Sequence, residues 1–396
     1  MPDLLQGVQD MLITFASFVV VLSVVVFVHE FGHFQVARWR GVAIDTFSIG
    51  FGKTLLGWRD KHGVQWKIGA LPLGGYVKLA DDADAMSTAP REKIEDPAAL
   101  AEARKRGLFH AQPLSTRSMV VAAGPITNFI FSILAFGSLA LVMGRDVTEA
   151  DALPARIAVV AANSAAAQAG LQPGDVIVAV DGQPTGSFAQ LQAAMARTTE
   201  PTVALLIERQ GARQTISATP TRRGEQRLLG VTGPMVLPDE RRVVPYNPLE
   251  ALQVGASNTW QIVAQTGAYI GAIFMGRESG DQIAGPLGII NVSGQVAASA
   301  LDAPESTLIQ KLQMLVLSLL NLAAVLSVAV GIVNLLPIPI LDGGHLLFYA
   351  IEAVRGGKPL PPAAQEWAYR AGFAVMASLF LFATWNDITR LFPGAQ

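Results

Sequence analysis

Long apolar runs alternate with polar segments along the chain. Residues 11–28 carry no charged side chain. At about 1.5 Å rise per residue such a run extends roughly 27 Å, close to the ~30 Å hydrocarbon core of a bilayer. Three further apolar runs follow at residues 118–144, 312–336 and, more broken, 371–391. The pattern therefore predicts four membrane-spanning helices.

A fifth apolar stretch, residues 264–275, is shorter than a bilayer requires. Together with the preceding residues 249–263 it has the mixed polar and apolar character of an amphipathic helix that lies in the membrane interface. We interpret the whole stretch as an interfacial helix, and a fifth span is the alternative.

Two other segments have the alternation of β-strands. Residues 41–79 alternate polar and apolar side chains around glycines, which predicts a β-hairpin element. This element is either a small soluble sheet or a strand edge that lies near an active site. Residues 155–221 contain strand-like runs, a tight turn at "VDGQP" and one short helix at "SFAQLQAAMA". They predict a β-rich domain inserted between the second and third spans.

Basic residues near the span ends predict the orientation, because loops rich in Lys and Arg stay in the cytoplasm. Arg38 and Arg40 follow the first apolar run, and a basic cluster that ends at Arg117 precedes the second. The loop between them is therefore predicted to be cytoplasmic, which places the N-terminus, the β-rich domain and the C-terminus outside. Arg145 and Lys311 count mildly against this orientation.

The composition agrees with a membrane protein and narrows its chemistry. Of 396 residues, 51% are hydrophobic and only 15% are charged, and the formal net charge is -2. This balance provides no basic surface for nucleic acid, so we predict no nucleic-acid partner. The chain has no cysteine. Thiolate ligands and thiol nucleophiles are excluded, and any metal must be bound by His, Asp or Glu.

The first apolar run ends in the motif His29-Glu30-Phe31-Gly32-His33, which fits H-E-x-x-H. On a helix, residues i and i+4 lie on one face, so both imidazoles can bind the same zinc ion. Glu30 is displaced by about 100° around the helix, where it can act as a base on a metal-activated water. Interfacial histidines whose polar tips reach the headgroups are the alternative.

Two histidines leave a catalytic zinc site one protein ligand short, because such sites usually use three. The most notable carboxylate is Asp342, in the segment 334–348 that directly follows the third span. Two prolines there interrupt the helix and are expected to make the chain extended, while paired glycines permit a sharp turn. We predict Asp342 as the third ligand; capping of the following helix is the alternative. The remaining histidines are His62, His110 and His345.

Four features together resemble the bacterial site-2 protease family of the RseP type. They are "HEFGH" in the first span, "AGPITNF" in the second, the β-rich insert, and "NLLPIPILDGG" after the third span. The resemblance covers nearly the whole chain. It implies a zinc cofactor bound by His29, His33 and Asp342, with Glu30 as the general base. It further implies that an unwound substrate is accommodated by Asn334, Pro337 and Pro339.

The second-span motif and the insert leave two questions open. Gly124, Pro125 and Asn128 match the family motif, either as a helix-packing site with a polar interhelical bond or in a direct role. The run "GLQPGDVI" followed by "VDG" resembles a PDZ domain of the protease-associated type. Such domains bind extended peptides by strand addition and often capture a C-terminus. A β-rich spacer with no ligand is the alternative.

The predicted fold class is a polytopic α-helical membrane protein with about four transmembrane helices, a membrane-associated β-hairpin element and an inserted β-rich PDZ-like domain. The resemblance implies a zinc-dependent intramembrane endopeptidase of the bacterial inner membrane. Its partners would be the lipid bilayer and single-pass membrane proteins, such as anti-sigma factors or remnant signal peptides, cleaved in regulated intramembrane proteolysis. A membrane-anchored PDZ scaffold with a structural metal site and a metal-ion transporter are the alternatives.

The predicted segments follow the chain in order. They are the first span with the zinc motif (1–37), the cytoplasmic loop with the β element (38–117), the second span (118–144), the PDZ-like domain (145–236), a linker with the interfacial helix (237–311), the third span with the Asp342 motif (312–345), and the last loop with the fourth span (346–396).

Overall fold

The computed structural model describes residues 2–80, 94, 96–148, 153–198, 200–223, 226–237, 239–303 and 306–391. The chain forms two compact units. The helical unit comprises Met1–Leu141 and Asn247–Gln396, and the β-rich unit comprises Val142–Tyr246. The segment boundaries taken from the sequence stay predictions.

The helices are α1 (Pro2–Trp39), α2 (Pro97–Lys105), α3 (Leu114–Met143), α4 (Ala165–Gln168), α5 (Phe188–Arg197), α6 (Pro248–Phe274), α7 (Pro286–Leu301), α8 (Leu308–Leu335), α9 (Asp342–Val354) and α10 (Pro362–Leu391), with a short 3-10 turn at Phe109–Ala111. The strands are β1 (Ile44–Arg59), β2 (Gln65–Leu79), β3 (Arg145–Asp146), β4 (Val159–Val160), β5 (Val176–Val180), β6 (Gln183–Pro184), β7 (Val203–Arg209), β8 (Ala212–Ala218), β9 (Thr221–Arg223), β10 (Gln226–Leu228), β11 (Val231–Thr232) and β12 (Val243–Val244).

Four helices of the described chain are long and apolar enough to cross a membrane: α1 from Gly7, α3, α8 and α10. The predicted number of spans is confirmed on these criteria, and two of the helices extend beyond the apolar runs. Helix α1 continues past residue 28 to Trp39, and α10 begins at Pro362 rather than at residue 371. In α1 the helix outlasts the uncharged run because Phe34 and Ala37, beyond the motif, are still buried against the rest of the unit.

The predicted interfacial stretch is a single helix, α6, which begins at a capping box formed by Asn247 and Glu250. Helix α7 was not predicted at all. Its buried face consists of small residues, Ser293, Gly294, Ala297 and Ala300, and it packs against α1 and α8. Small side chains let the helices approach closely. Helix α7 is apolar but only 16 residues long, shorter than a span requires, which is why the pattern of span-length apolar runs did not indicate it.

The β element of the helical unit is a hairpin whose two long strands are bent. Ser48 of β1 pairs with both Lys67 and Tyr76 of β2, whereas Trp58 pairs with Trp66. The two strands therefore form four rows in the order 54–59, 65–69, 44–49 and 75–79. Aromatic contacts hold this sheet against α1, with Trp66 lying 4.5 Å from Phe47 and 5.2 Å from Phe34 between ring centroids.

The β-rich unit is built around the four-stranded antiparallel sheet β6-β5-β7-β8. Alternate residues of β5 and β7 are buried, among them Ile177, Leu205 and Ile207, and α5 packs Phe188 and Leu191 into the same core. Ser187 caps α5 through the backbone N–H of Gln190. The order of strand, turn and helix follows the prediction, and the assignment as a PDZ-like domain stays a prediction.

The β-rich unit contains a tight hairpin turn and a strand pair that joins its two chain ends. Asp181 and Gly182 both have positive φ (48° and 78°), the backbone of a two-residue hairpin turn between β5 and β6. This is the turn predicted at "VDGQP". At the other end of the unit, β3 pairs with β12, Arg145 opposite Val244. The chain thus enters and leaves the β-rich unit at neighbouring positions.

Candidate metal centre

Helix α1 places His29 and His33 one turn apart on the same face. Their Nε2 atoms are 3.2 Å apart and their ring centroids 4.8 Å apart. His29 is buried and His33 is largely so. The continuous helix produces this arrangement directly from the spacing in the motif, as the sequence predicts.

Asp342 is brought to the same point by the interruption between α8 and α9. Helix α8 ends at Leu335, and the next six residues form bends and a turn before Asp342 begins α9. The helix stops at the prolines, as predicted. Leu336 and Leu341, at the two ends of the break, have extended backbones, and Pro339 and Ile340 form a turn between them. Asp342 Oδ2 lies 3.2 Å from His29 Nε2 and 3.4 Å from His33 Nε2.

The paired glycines make this turn possible because they allow backbone to pass against backbone. A Cβ on Gly343 would lie 2.3 Å from the carbonyl oxygen of Leu335, and one on Gly344 would lie 2.2 Å from that of Ile338. Asp342 is the first residue of α9, and no side chain caps that helix at Leu341. The carboxylate of Asp342 faces the two imidazoles instead, which speaks against the capping alternative.

The three atoms have the spacing of a metal site. With bonds of about 2.0–2.1 Å, a tetrahedral zinc ion holds neighbouring ligand atoms roughly 3.3 Å apart. The separations here are 3.2, 3.2 and 3.4 Å. Asp342 Oδ2 is also buried without a hydrogen-bond partner among the described residues, although a buried carboxylate oxygen needs one. The donor set fits a divalent cation such as zinc, and its three members are His29, His33 and Asp342.

Helix α3 supports both rings from the side opposite the cluster. His33 Nδ1 donates a hydrogen bond to the backbone carbonyl of Val120 at 2.8 Å, which leaves its Nε2 lone pair free to bind a metal. The side-chain amide of Asn128 lies 3.1 Å from His29 Nδ1. Pro125 lies inside α3 and has no N–H to donate to the carbonyl of Val121, the residue after Val120.

Glycines bring α1 and α3 together at this level. A Cβ on Gly124 would lie 2.3 Å from His33 Nε2 and 2.8 Å from His29 Cε1, within the space that the ligands need. A Cβ on Gly32 would lie 2.5 Å from the carbonyl oxygen of Ala123. The second-span motif is therefore both a helix-packing site and a direct neighbour of the histidines, so the two readings left open by the sequence are compatible.

Glu30 points to a different side of α1, toward strand β2. A Cβ on Gly75 would lie 3.1 Å from Glu30 Cγ and 2.9 Å from Val26 Cγ1. The row 75–79 of the sheet thus runs past Glu30, and the missing side chain of Gly75 makes room for it. This places a carboxylate next to the cluster but outside its ligand set, as expected from the motif.

The other candidate residues lie in different places. His62 is in the β1–β2 connection, His110 is in the 3-10 turn, and the ring of His345 on α9 packs beside Phe348 and Tyr369. Within the described residues, none of these histidines belongs to the cluster. Asn334 is in the last turn of α8, and Pro337 and Pro339 are in the break that follows. The substrate-binding role of these three residues stays a prediction.

A buried ion pair that sequence reasoning missed fixes α9, the helix that carries Asp342. Arg117 at the start of α3 donates to both carboxylate oxygens of Glu352, at 2.7 and 3.2 Å, and lies over the ring of Tyr349 at 4.9 Å. Such bidentate pairs fix relative orientation as well as distance. The available signal was a single acidic residue, Glu352, in the apolar stretch after Asp342, and a basic residue, Arg117, directly before the second apolar run.

Comparison with known proteins agrees with this geometry. The sequence profile of peptidase family M50 matches residues 17–379. The chain belongs to peptidase family M50. This is the site-2 protease family, so the predicted family is confirmed, and the chain is an intramembrane zinc metalloprotease. M50 membership favours the enzyme over the scaffold and the transporter.

Three M50 relatives show the range of similarity. A candidate zinc metalloprotease of Rhizobium meliloti is 41% identical over 388 residues, covering 96% of this chain and 97% of the relative. Metalloprotease MmpA of Caulobacter vibrioides is 37% identical, with 96% of each chain covered. Regulator of sigma-E protease RseP of Escherichia coli is 31% identical, covering 95% of this chain and 98% of the relative.

Proposed function

We propose that the protein cleaves single-pass membrane proteins within or beside their transmembrane helices, with zinc bound by His29, His33 and Asp342 and with Glu30 as the general base. The observation that supports this most strongly is the convergence of three potential ligand atoms at 3.2–3.4 Å from one another. They come from two helices that are far apart in the sequence, and one of the atoms is a buried carboxylate oxygen without a partner.

The residues divide the chemistry between them. Zinc held by the cluster would supply a Lewis acid and a water molecule whose pKa is lowered to about 7. Glu30, beside the cluster and not part of it, would accept a proton from that water and return it to the leaving amine. His33 and His29 are kept in orientation by α3, and Gly124 keeps the space between the rings and α3 open.

A transmembrane helix hides its peptide carbonyls in hydrogen bonds, so a substrate must be unwound before it can be cleaved. The row 75–79 of the β element is suited to hold such an extended segment. It pairs with the row 44–49 on one side, and among the described residues no other strand pairs with its outer side. Since this row passes Glu30 at Gly75, a substrate strand added to it would lie beside the base. Asn334, Pro337 and Pro339 would contact the same segment.

The substrate class and the location follow from similarity and from the sequence. The E. coli relative is named regulator of sigma-E protease RseP, and by analogy we propose that this chain carries out regulated proteolysis of anti-sigma-factor-like or signal-peptide-like substrates in the inner membrane. The N-terminus, the C-terminus and the β-rich unit would then lie outside. A PDZ-like β-rich unit would act on access, either by excluding substrates with bulky external domains or by binding a newly made C-terminus.

The replacement Glu30→Gln tests the proposed base. Removal of a general base typically lowers a rate by about 10²–10⁴-fold, and the amide leaves the ligand set untouched. We expect zinc content to stay at the wild-type level while cleavage of a single-span substrate in detergent falls by at least about 100-fold. Glu102→Gln on α2, where the side chain is exposed, is the matched control and should be fully active.

Two measurements complete this test. Wild-type protein treated with a chelator should lose activity and regain it with zinc. Wild-type turnover in Glu30→Gln would rule out Glu30 as the base. A wild-type protein that binds no zinc would rule out the whole proposal.

A further inference from the structure

We infer that Asn128 is a positioning residue for the metal centre. Its side-chain oxygen accepts a hydrogen bond from His29 Nδ1 and thereby keeps Nε2 of that ring unprotonated and directed at the metal. This inference rests on the proposed zinc site, and it gives a role to Asn128 of the second-span motif.

The nitrogen and the oxygen of the Asn128 side-chain amide have different surroundings. The side chain is fully buried, its nitrogen lies 3.1 Å from His29 Nδ1, and its oxygen has no partner among the described residues. A half-turn of the amide exchanges nitrogen and oxygen within the same volume. With the nitrogen facing the ring, Nδ1 must accept, so the neutral ring carries its proton on Nε2. With the oxygen facing the ring, Nδ1 donates and Nε2 is free.

Only the second arrangement is compatible with a ligand at His29. Nε2 lies 3.2 Å from Asp342 Oδ2 and 3.2 Å from His33 Nε2, so a proton there would occupy the point where the three atoms converge. A metal-binding imidazole commonly donates its other N–H to a carbonyl, carboxylate or water. The amide oxygen of Asn128 is the group in place to accept it.

The second ring has the same arrangement, which is an independent observation. His33 Nδ1 donates to the carbonyl of Val120 at 2.8 Å. Val120 and Asn128 are eight residues apart on α3, so with the Asn128 oxygen turned toward His29 one helix presents one oxygen to each Nδ1. With a main-chain carbonyl accepting from one Nδ1 and a side-chain carbonyl accepting from the other, both Nε2 atoms are unprotonated and available to the metal.

Asn128 is also held in place more firmly than a surface amide could be. Its main-chain carbonyl accepts hydrogen bonds from the hydroxyls of Ser132 at 2.9 Å and Ser327 at 3.1 Å. Ser132 is within hydrogen-bond distance of the Ala324 carbonyl as well, and all three polar residues are fully buried. These bonds connect α3 to α8, so the amide is fixed where His29 needs an acceptor.

The test compares three variants by zinc affinity, measured by competition with a chelator, and by the visible spectrum of the cobalt-substituted protein. Asn128→Leu has nearly the same shape but no acceptor, and it should bind zinc about 10–100-fold more weakly. Asn128→Asp retains an acceptor and should bind within about threefold of the wild type. Ser138→Ala on the same helix removes an exposed hydroxyl that bonds the Leu134 carbonyl, away from Asn128 and both rings, and its affinity should be unchanged.

The cobalt spectrum reports ligand geometry without an activity assay. It should be altered in Asn128→Leu and unchanged in Asn128→Asp and Ser138→Ala. Thermal unfolding of the metal-free proteins shows whether each variant is folded. If Asn128→Leu yields no folded protein, Asn128→Ala takes its place in the same comparison.

Two results would overturn the inference. One is zinc affinity in Asn128→Leu within threefold of the wild type. The other is an equal loss in Asn128→Leu and Asn128→Asp, which would mean that Asn128 contributes packing and not an acceptor. Either result would leave the proposed zinc site intact, whereas failure of the wild-type protein to bind zinc would remove the proposed function itself.

Discussion

Two aspartates in the two units of this protein are buried in opposite circumstances. Asp175 of the β-rich unit is 1% exposed and accepts two hydrogen bonds from Arg209 at 2.7 Å and one from the backbone of Gln172 at 2.8 Å. Asp342 of the helical unit faces two imidazoles, and its inner oxygen has no hydrogen-bond partner among the described residues. The first carboxylate is fully satisfied by the chain itself; the second is complete only with a cation.

The charge of Asp175 therefore has a structural role, whereas that of Asp342 has the surroundings of a ligand-binding group. Burial without partners is unfavourable, so a fold that keeps such a group must recover the energy from something that binds there. Burial with partners needs no ligand. The two sites therefore predict different responses to the same replacement of aspartate by asparagine.

The largest effect is expected for Asp342→Asn. Loss of one of three ligands should lower zinc affinity and proteolysis by more than about 100-fold, while the metal-free protein should be at least as stable as the wild type because an unpaired buried charge is removed. Zinc analysis and thermal unfolding in the presence of a chelator measure the two halves. Asp175→Asn should retain zinc. Full zinc content in Asp342→Asn would place the third ligand elsewhere, with His345 the next candidate.

Gly124→Ala tests whether the space around the ligands matters as much as the ligands. The added methyl group would lie 2.3 Å from His33 Nε2, so the rings must move and zinc affinity should fall by about 10–100-fold. Gly267→Ala on α6 is the control, since a Cβ there meets nothing within 4 Å. Equal zinc affinity in both variants would show that α1 and α3 separate easily, contrary to the close packing described above.

For Asp175→Asn we expect a loss of about 2–3 kcal/mol in the local stability of the β-rich unit, the usual range for a buried hydrogen-bonded charge. Hydrogen exchange of β5 and β7 amides in the full chain measures it. Arg213→Met on the neighbouring strand removes an exposed pair with Glu208 at 3.5 Å and should change stability by less than about 1 kcal/mol. Similar losses of stability in both variants would show that the buried pair of Asp175 and Arg209 stabilises the unit no more than an exposed pair does.

The ion pair between Asp175 and Arg209 also makes the stability of the β-rich unit depend on pH. Burial raises the pKa of Asp175, but the hydrogen bonds from Arg209 and Gln172 outweigh it and hold the pKa below its usual value. A group whose pKa is lower in the folded state stabilises the fold fully above its unfolded value of about 3.9 and loses that contribution as the pH falls toward its folded pKa. The difference in stability between wild type and Asp175→Asn should therefore shrink below about pH 4.

The smallest effect is expected from removing the β-rich unit as a whole. Because Arg145 and Val244 are paired in β3 and β12, a short Gly-Ser linker can replace the residues between them. If the unit excludes bulky substrates, cleavage of an untrimmed substrate should rise, and by less than the loss expected in Asp342→Asn. If it recruits a new C-terminus, cleavage of a trimmed substrate should fall. Unchanged rates for both substrates in a folded variant would exclude both roles.

The features that the sequence predicted well depend on local spacing. His29 and His33 come together because a helix repeats about every 3.6 residues, and Asp342 stood out as a carboxylate behind a helix broken by prolines. The contact between Asn128 and His29 joins residues 99 apart, and no local pattern encodes it. Helix α7 was not predicted because, at 16 residues, it is apolar but shorter than a membrane span. The pairing of Arg117 with Glu352 depends on two helices meeting in space.

The close seam between α1 and α3 restricts the route by which a substrate can arrive. Gly32 and Gly124 let the two backbones approach until no side chain fits between them, and each imidazole is hydrogen-bonded or adjacent to a group on α3. A helix diffusing in the lipid cannot enter through this seam without breaking the histidine supports and scattering the ligands. If the sheet row 75–79 binds the substrate as proposed, approach along the other flank of α1, where this row passes Glu30, would leave the histidine supports intact, and the substrate would meet the strand before it meets the metal.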